Sequence, residues 1–414
     1  MTTLGSIDDL SVRMIDVIVG GHGVRLITRP GFADWEGITP AMQLLAMHAQ
    51  IRAGQRILVC PGGHGALGVW AALESDARHV VVRDLNAVAL DAARLTLQEN
   101  GLSGLRVIGG PPCQEDEPFD VILMPASKGR ALMRLLLLNA YLSLRAGGTL
   151  YLAGANRGGI KSIAQDASLL FERTQILAYK AGHRILQCSR LSETPPLFPA
   201  PFQMPGLLNG TYATWKATVG AFEYVIFSRP GVFSWEHLDD GTALLLEALR
   251  VEREDLVADV GCGYGIIGLH AAHHSTWPVI LTDVDYLACE CAHKTLVANG
   301  VPSAEIIHGD GLKVVNERRF SLIVSNPPFH SGHRVSQAMV RTLIRQAHKA
   351  LQTGGRLMIV ANRFLPYDDL MADVFGRVQR LAENGRYRVL EATKTVRAHG
   401  GRRRRGRNAS GESL

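Results

Sequence analysis

Two spacings of apolar residues alternate along this chain. Short β-branched runs, among them Leu256–Val260, Val279–Thr282, Ser321–Ser325 and Arg356–Val360, are separated by stretches whose apolar residues recur at helical spacing. Strand, helix and strand in succession predict βαβ units and a mostly parallel sheet with helices on both faces. The segment Ile266–Ala272 follows one such run directly and reads as a buried helix.

The pattern occurs twice, at an offset near 200 residues. Arg29-Pro30-Gly31 with Trp35 matches Arg229-Pro230-Gly231 with Trp235, and residues 57–65 (ILVCPGGHG) lie over 257–265 (VADVGCGYG). Residues 80–102 cover 279–301, so that Asp84 meets Asp283 and Asn100-Gly101 meets Asn299-Gly300. Residues 119–129 cover 320–330, and 145–157 resemble 352–363. Two tandem copies of one doubly wound α/β domain account for this. Between them, residues 195–205 hold five prolines, a density that predicts an extended connector.

Composition narrows the class. A chain of 414 residues, 47% apolar and 20% charged, can bury a full core without disulfides. The densest leucine cluster, Leu135–Leu138, is bracketed by Arg134 and Asn139, so no membrane span is expected. Asp8 and Asp9 stand where a secretory leader carries basic residues, and none of the six cysteines forms a Cys-x-x-Cys pair. Both observations point to the cytoplasm, and no metal site is expected. The formal charge of +6 is concentrated at one end: residues 397–414 carry six arginines and one glutamate, a net +5, which leaves +1 for the other 396. That Arg- and Gly-rich tail cannot bury a core and is expected to be disordered. Such runs bind polyanions by counterion release or merely solubilise.

The second copy carries the candidate chemistry. Asp259-Val260-Gly261-Cys262-Gly263-Tyr264-Gly265 ends a strand and opens a helix, a loop where the backbone can approach a ligand at a helix N-terminus. The next strand ends about 20 residues on at Asp283, placed to accept hydrogen bonds from ribose hydroxyls. Gly263-x-Gly265-x-x-Gly268 also satisfies the dinucleotide fingerprint, so these glycines alone do not separate NAD from S-adenosylmethionine. Asp259 ahead of them gives the D-x-G-x-G-x-G form seen in class I methyltransferases.

Ser325-Asn326-Pro327-Pro328-Phe329-His330 follows a strand expected to pair next to the first. The Asn326 side-chain carbonyl and the Pro327 backbone carbonyl can both accept hydrogens from a planar exocyclic amine, drawing its nitrogen toward tetrahedral geometry. The prolines stiffen the loop and offer no competing N–H. Phe329 offers a face for a base extruded from its stack.

This duplication, with Asn-Pro-Pro-Phe-His only in the second copy, resembles the bacterial ribosomal RNA guanine-N2 methyltransferases, the 16S type and its 23S relative, over nearly all of residues 20–395. The resemblance implies two class I, Rossmann-like domains, S-adenosylmethionine as cofactor, ribosomal RNA or a ribosomal subunit as partner, and transfer to the N2 amine of a guanine, 16S favoured. By position, Asp259, Gly261 and Gly263 resemble the first cofactor motif and Asp283 the ribose-binding acid. Asp310 resembles the residue near the adenine amine, and Asn326, Pro327, Pro328 and Phe329 the catalytic loop. The tail after Arg397 is not part of the family pattern.

The first copy departs at each chemical position: Val59 stands for Asp259, Pro61 for Gly261, and Met124 to Lys128 for Ser325 to Phe329. The expected organisation is a degenerate domain without cofactor over 1–190, a Pro-rich linker over 191–211, a catalytic domain over 212–396 and the tail, all in a monomer. Arg334, Arg341, Arg345 and Lys349 follow the loop at spacings of 7, 4 and 4, which puts them on one helix face that can meet RNA phosphates. Competing readings are an adenine-N6 or glutamine-amide methyltransferase, which share Asn-Pro-Pro but usually carry Tyr at the Phe329 position. An NAD-dependent dehydrogenase leaves the Asn-Pro-Pro-Phe loop unexplained. A non-catalytic RNA-binding assembly protein leaves Asp259, Asp283 and Asn326 unexplained.

Overall fold

A computed structural model of the protein describes residues 10–114, 117–194, 197–315, 317–328 and 333–395. Phe329, His330 and the Arg-rich tail lie outside the described residues. Each half opens with an antiparallel hairpin, Arg13–Val19 with His22–Thr28 and Ala213–Val219 with Phe222–Ser228. Each then builds a seven-stranded sheet. In the second half the strands lie in the order Glu305–His308, Ile280–Asp283, Val257–Val260, Phe320–Ser325, Leu351–Asn362, Tyr387–Thr393 and Val378–Glu383. Only Tyr387–Thr393 runs against the others. The first half repeats this order with Arg106–Gly109, Val80–Asp84, Ile57–Val59, Phe119–Pro125, Leu144–Ala155, His183–Ser189 and Arg173–Lys180. The central strands are buried on both faces, which is why they read as near-continuous apolar runs instead of alternating ones, with Asp259 the exception in Val257–Val260.

Strand order reverses between Val257–Val260 and Phe320–Ser325. Their carboxyl ends therefore open a crevice, the place where ligands bind in sheets of this kind. The glycine loop leaves from one of these ends and Asn326 from the other.

The halves dock through equivalent turns. The Ala87 amide donates to the Val284 carbonyl and the Tyr286 amide to the Leu85 carbonyl, each at 2.8 Å. The exchange is reciprocal, as a local two-fold axis between duplicated units requires. One continuous apolar cluster runs from Leu58 and Leu136 in the first half to Leu281 and Val324 in the second. The linker is a correction to the bare connector read from its prolines. Ala200–Phe202 forms a 3₁₀ turn, and Phe202 and Leu207 are buried in that shared cluster, because the apolar residues between the prolines pack where the halves meet.

Candidate active site

The crevice holds a cavity of about 470 Å³, within the range of small-molecule sites. Its floor is the glycine loop. Gly261, Gly263 and Gly265 have φ of 75°, 56° and 85°, the left-handed region that a side chain resists. A Cβ on Gly261 or Gly263 would meet nothing within 4 Å, so both present bare backbone to the cavity. A Cβ on Gly265 would sit 2.9 Å from the Ala292 Cβ, so this glycine serves close packing of the following helix.

Asp283 lines the cavity and braces the loop: its Oδ2 accepts the Gly263 amide at 2.9 Å and its Oδ1 the Asp285 amide at 2.9 Å. Burial lifts its pKa, against the pull of those amides. Asp285 also lines the cavity. Burial and the neighbouring Asp283 charge push its pKa up to about 7.

Asp259 is a correction. It is fully buried behind the loop and does not reach the cavity. Its Oδ2 accepts the Gly268 amide at 2.8 Å inside the first helical turn, while its Oδ1 has no partner. Burial, with a smaller push from Asp283, raises its pKa to about 7. Asp259 shapes the loop from beneath, and an acid facing inward from a strand reads in sequence the same as one facing a ligand.

Asp310 lines the far end of the cavity. Its Oδ2 accepts from Lys313 at 2.6 Å and from Arg29 at 2.8 Å. Burial alone would raise its pKa, but these two cations outweigh it and hold the carboxyl below the usual range. Arg29 belongs to the first copy, and Pro30, Gly31 and Val88 of that copy line the cavity with it. The first copy thus forms one wall of the site, which its own lost motifs did not suggest.

Asn326, Pro327 and Pro328 stand at the cavity's other side. The Asn326 Nδ2 donates to Thr242 Oγ1 at 2.8 Å and to Asp239 Oδ2 at 3.2 Å, and its buried Oδ1 has no partner. Phe329 lies outside the described residues. In the helix His333–Ala350, Val340 and Leu343 face the cavity while Arg341, Arg345 and Lys349 lie on one flank. The side chain of Arg334 is not among those described.

Sequence reasoning missed Asp239, Thr242 and Arg29. For the first two a signal existed: at the 200-residue offset they align with Thr39 and Met42, the same asymmetry that sets Asn326 against Pro125. Arg29 matches Arg229 and gave none. In the first copy Asp84 still accepts the Gly63 amide at 2.8 Å. Arg83 replaces Thr282, and its guanidinium donates to the Pro111 carbonyl at 3.4 Å.

The methyltransferase small domain family matches residues 23–187 and again 223–391, one match per copy. The chain belongs to this methyltransferase family. Among its relatives is the ribosomal RNA small subunit methyltransferase C of Shewanella amazonensis, 34% identical over 312 residues that cover 75% of this chain and 88% of the relative. The protein of that name from Escherichia coli is 37% identical over 269 residues, covering 64% and 73%. A Thermus thermophilus 16S rRNA N2 G1207 methyltransferase, solved with AdoMet and guanosine, superposes at a TM-score of 0.75 with 29% identity over 92% of this chain and 98% of its own. Both copies of this methyltransferase therefore match one family model, and the solved structure superposes over both.

Proposed function

We propose that this chain transfers a methyl group from S-adenosylmethionine to the N2 amine of a guanine in 16S ribosomal RNA. The observation that carries the reading is the unpartnered, buried Oδ1 of Asn326 on the rim of a cavity whose floor is bare glycine backbone. A buried acceptor without a donor costs about 1–3 kcal/mol, so the fold keeps one for a ligand's N–H.

The cavity's residues suit the cofactor. Asp283 would hold the ribose hydroxyls, Asp310 the adenine amine, and Gly261 and Gly263 would leave room for its backbone approach. The bound cofactor supplies an electrophilic methyl on a sulfonium, which departs as a thioether with the C–S bonding pair. Asn326 Oδ1 and the Pro327 carbonyl would accept the two hydrogens of the guanine amine. They localise its lone pair on nitrogen, where it forms the new N–C bond, and one N–H proton then passes to water. No strong base is required, and the amide leaves none in contact with the amine. Phe329 would stack the extruded base. Arg341, Arg345 and Lys349 would hold flanking phosphates.

On this reading residues 1–190 bind no cofactor and serve as the wall that carries Arg29, residues 212–396 hold the chemistry, and the enzyme works as a monomer in the cytoplasm. Family relationship to ribosomal RNA methyltransferases favours this over methylation of adenine or of a glutamine amide. Purified protein, labelled S-adenosylmethionine and unmodified 16S RNA or small subunits test it, with mass mapping of the product. N2-methylguanosine at one position supports the reading; label in adenine, in protein or nowhere overturns it.

A further inference from the structure

We infer that Asp239 and Thr242 are positioning residues that fix the Asn326 amide in the one orientation able to accept from the reacting amine. The inference rests on the proposed guanine-N2 activity and adds to it the residues that set the acceptor.

An asparagine amide can be turned over with little change of shape, and turned over it would present hydrogens to an amine instead of a lone pair. Here the turn is opposed. Asp239 Oδ2 accepts the Thr242 amide at 2.9 Å and the Thr242 hydroxyl at 3.3 Å. The Thr242 hydroxyl has one hydrogen, and Asp239 takes it. Its lone pairs are left to accept from Asn326 Nδ2 at 2.8 Å, with Asp239 Oδ2 as second acceptor at 3.2 Å. A reversed amide would set Oδ1 against the Asp239 carboxylate with no hydrogen between them, and it could take the Thr242 hydrogen only by withdrawing it from Asp239. The held orientation also leans one N–H on a carboxylate, which shifts amide electron density onto Oδ1 and strengthens it as an acceptor.

Helix capping does not explain the pair. Asp239 caps the helix Asp240–Ala248, but in the first copy Thr39 caps Pro40–His48 alone, with Met42 at the Thr242 position. The copy without Asn326 is the copy that dispenses with both partners.

The test uses the full-length protein, S-adenosylmethionine and small-subunit RNA. Thr242→Val should lower kcat by about tenfold to a hundredfold, less than the loss of a preorganised contact itself, because the Asn326 oxygen it orients remains. Cofactor affinity should remain at the parental value and the unfolding midpoint should fall by no more than a few degrees, the cost of one lost buried partner. Thr242→Ser should restore kcat to within about twofold of the parent, as the returned hydroxyl alone would not do for a packing defect. Combined with Asn326→Ala, Thr242→Val should cost nothing further, since the group it orients is gone. If Thr242→Val is poorly folded, Asp239→Asn keeps the shape and is subject to the same expectations. Parental kcat in Thr242→Val, or a fully additive loss in the double variant, overturns the positioning role. The two failures are distinguishable. No N2-methylguanosine from the parental protein defeats the activity, whereas a normal parent and crippled Asn326→Ala beside an unimpaired Thr242→Val defeats only this inference.

Discussion

Replacing Asp259 by asparagine should stabilise the protein at alkaline pH and do little at acid pH. In the folded chain burial pushes the Asp259 carboxyl up to about 7 from an ordinary 3.8. Between those values the native state holds a proton that the unfolded chain has released, so parental stability falls as pH rises, by about 1.4 kcal/mol per unit. Above the folded value both states are ionised and the loss levels off. The substituted amide would keep the acceptor for the Gly268 amide, stay neutral at every pH, and put an N–H where the protonated acid has its O–H. Near pH 5 the two proteins should therefore differ by no more than the buried acid's remaining penalty. From pH 5 to pH 8 the variant's relative stability should grow by about 2.5 kcal/mol. Asp285, raised by the same causes, is common to both proteins and cancels in the difference. Urea unfolding of parent and Asp259→Asn at the two pH values reads this out. A difference that stays constant with pH refutes the assignment of Asp259 to the buried side of the loop.

The glycines should separate by role. Gly261→Ala costs about 1 kcal/mol of backbone strain but puts a methyl into open cavity, so calorimetry should show S-adenosylmethionine affinity lost from a folded protein. Gly265→Ala meets the Ala292 Cβ at 2.9 Å and should show the larger fall in unfolding midpoint. Arg29→Ala frees Asp310 from its partner across the halves and should weaken cofactor binding about tenfold while leaving Lys313 in place; unchanged affinity would make the first copy's wall passive. Titration should give one S-adenosylmethionine per chain, surviving Asp84→Ala and failing with Asp283→Ala; two per chain would show that the first copy still binds.

The duplication and the mostly parallel sheet were legible because they rest on local signals. Glycine at 263 and 265 repeats glycine at 63 and 65, and apolar runs buried on both faces repeat with them. Asp283 and Asn326 were legible as cavity-lining residues because each ends or follows a strand and strand ends in this topology converge, whereas Asp310 came only from the resemblance. Asp259 looked like one of them, because alternation along four buried residues does not say which side a carboxylate takes. Arg29 and Asp310 lie 281 positions apart and Asp239 and Asn326 lie 87 apart. Their meeting is set by how the halves dock and how a helix N-terminus approaches the loop, which no spacing in the chain encodes.

The central claim is that the second copy's Asn-Pro-Pro loop carries methyl transfer to guanine. Single-turnover transfer from labelled S-adenosylmethionine to small-subunit RNA, measured for parent and Asn326→Ala beside their cofactor affinities, tests it most directly. The account predicts a rate lower by about two to three orders of magnitude with cofactor affinity unchanged, since Asp283, Asp310 and the glycine loop are untouched. N2-methylguanosine formed by Asn326→Ala at near the parental rate would contradict it.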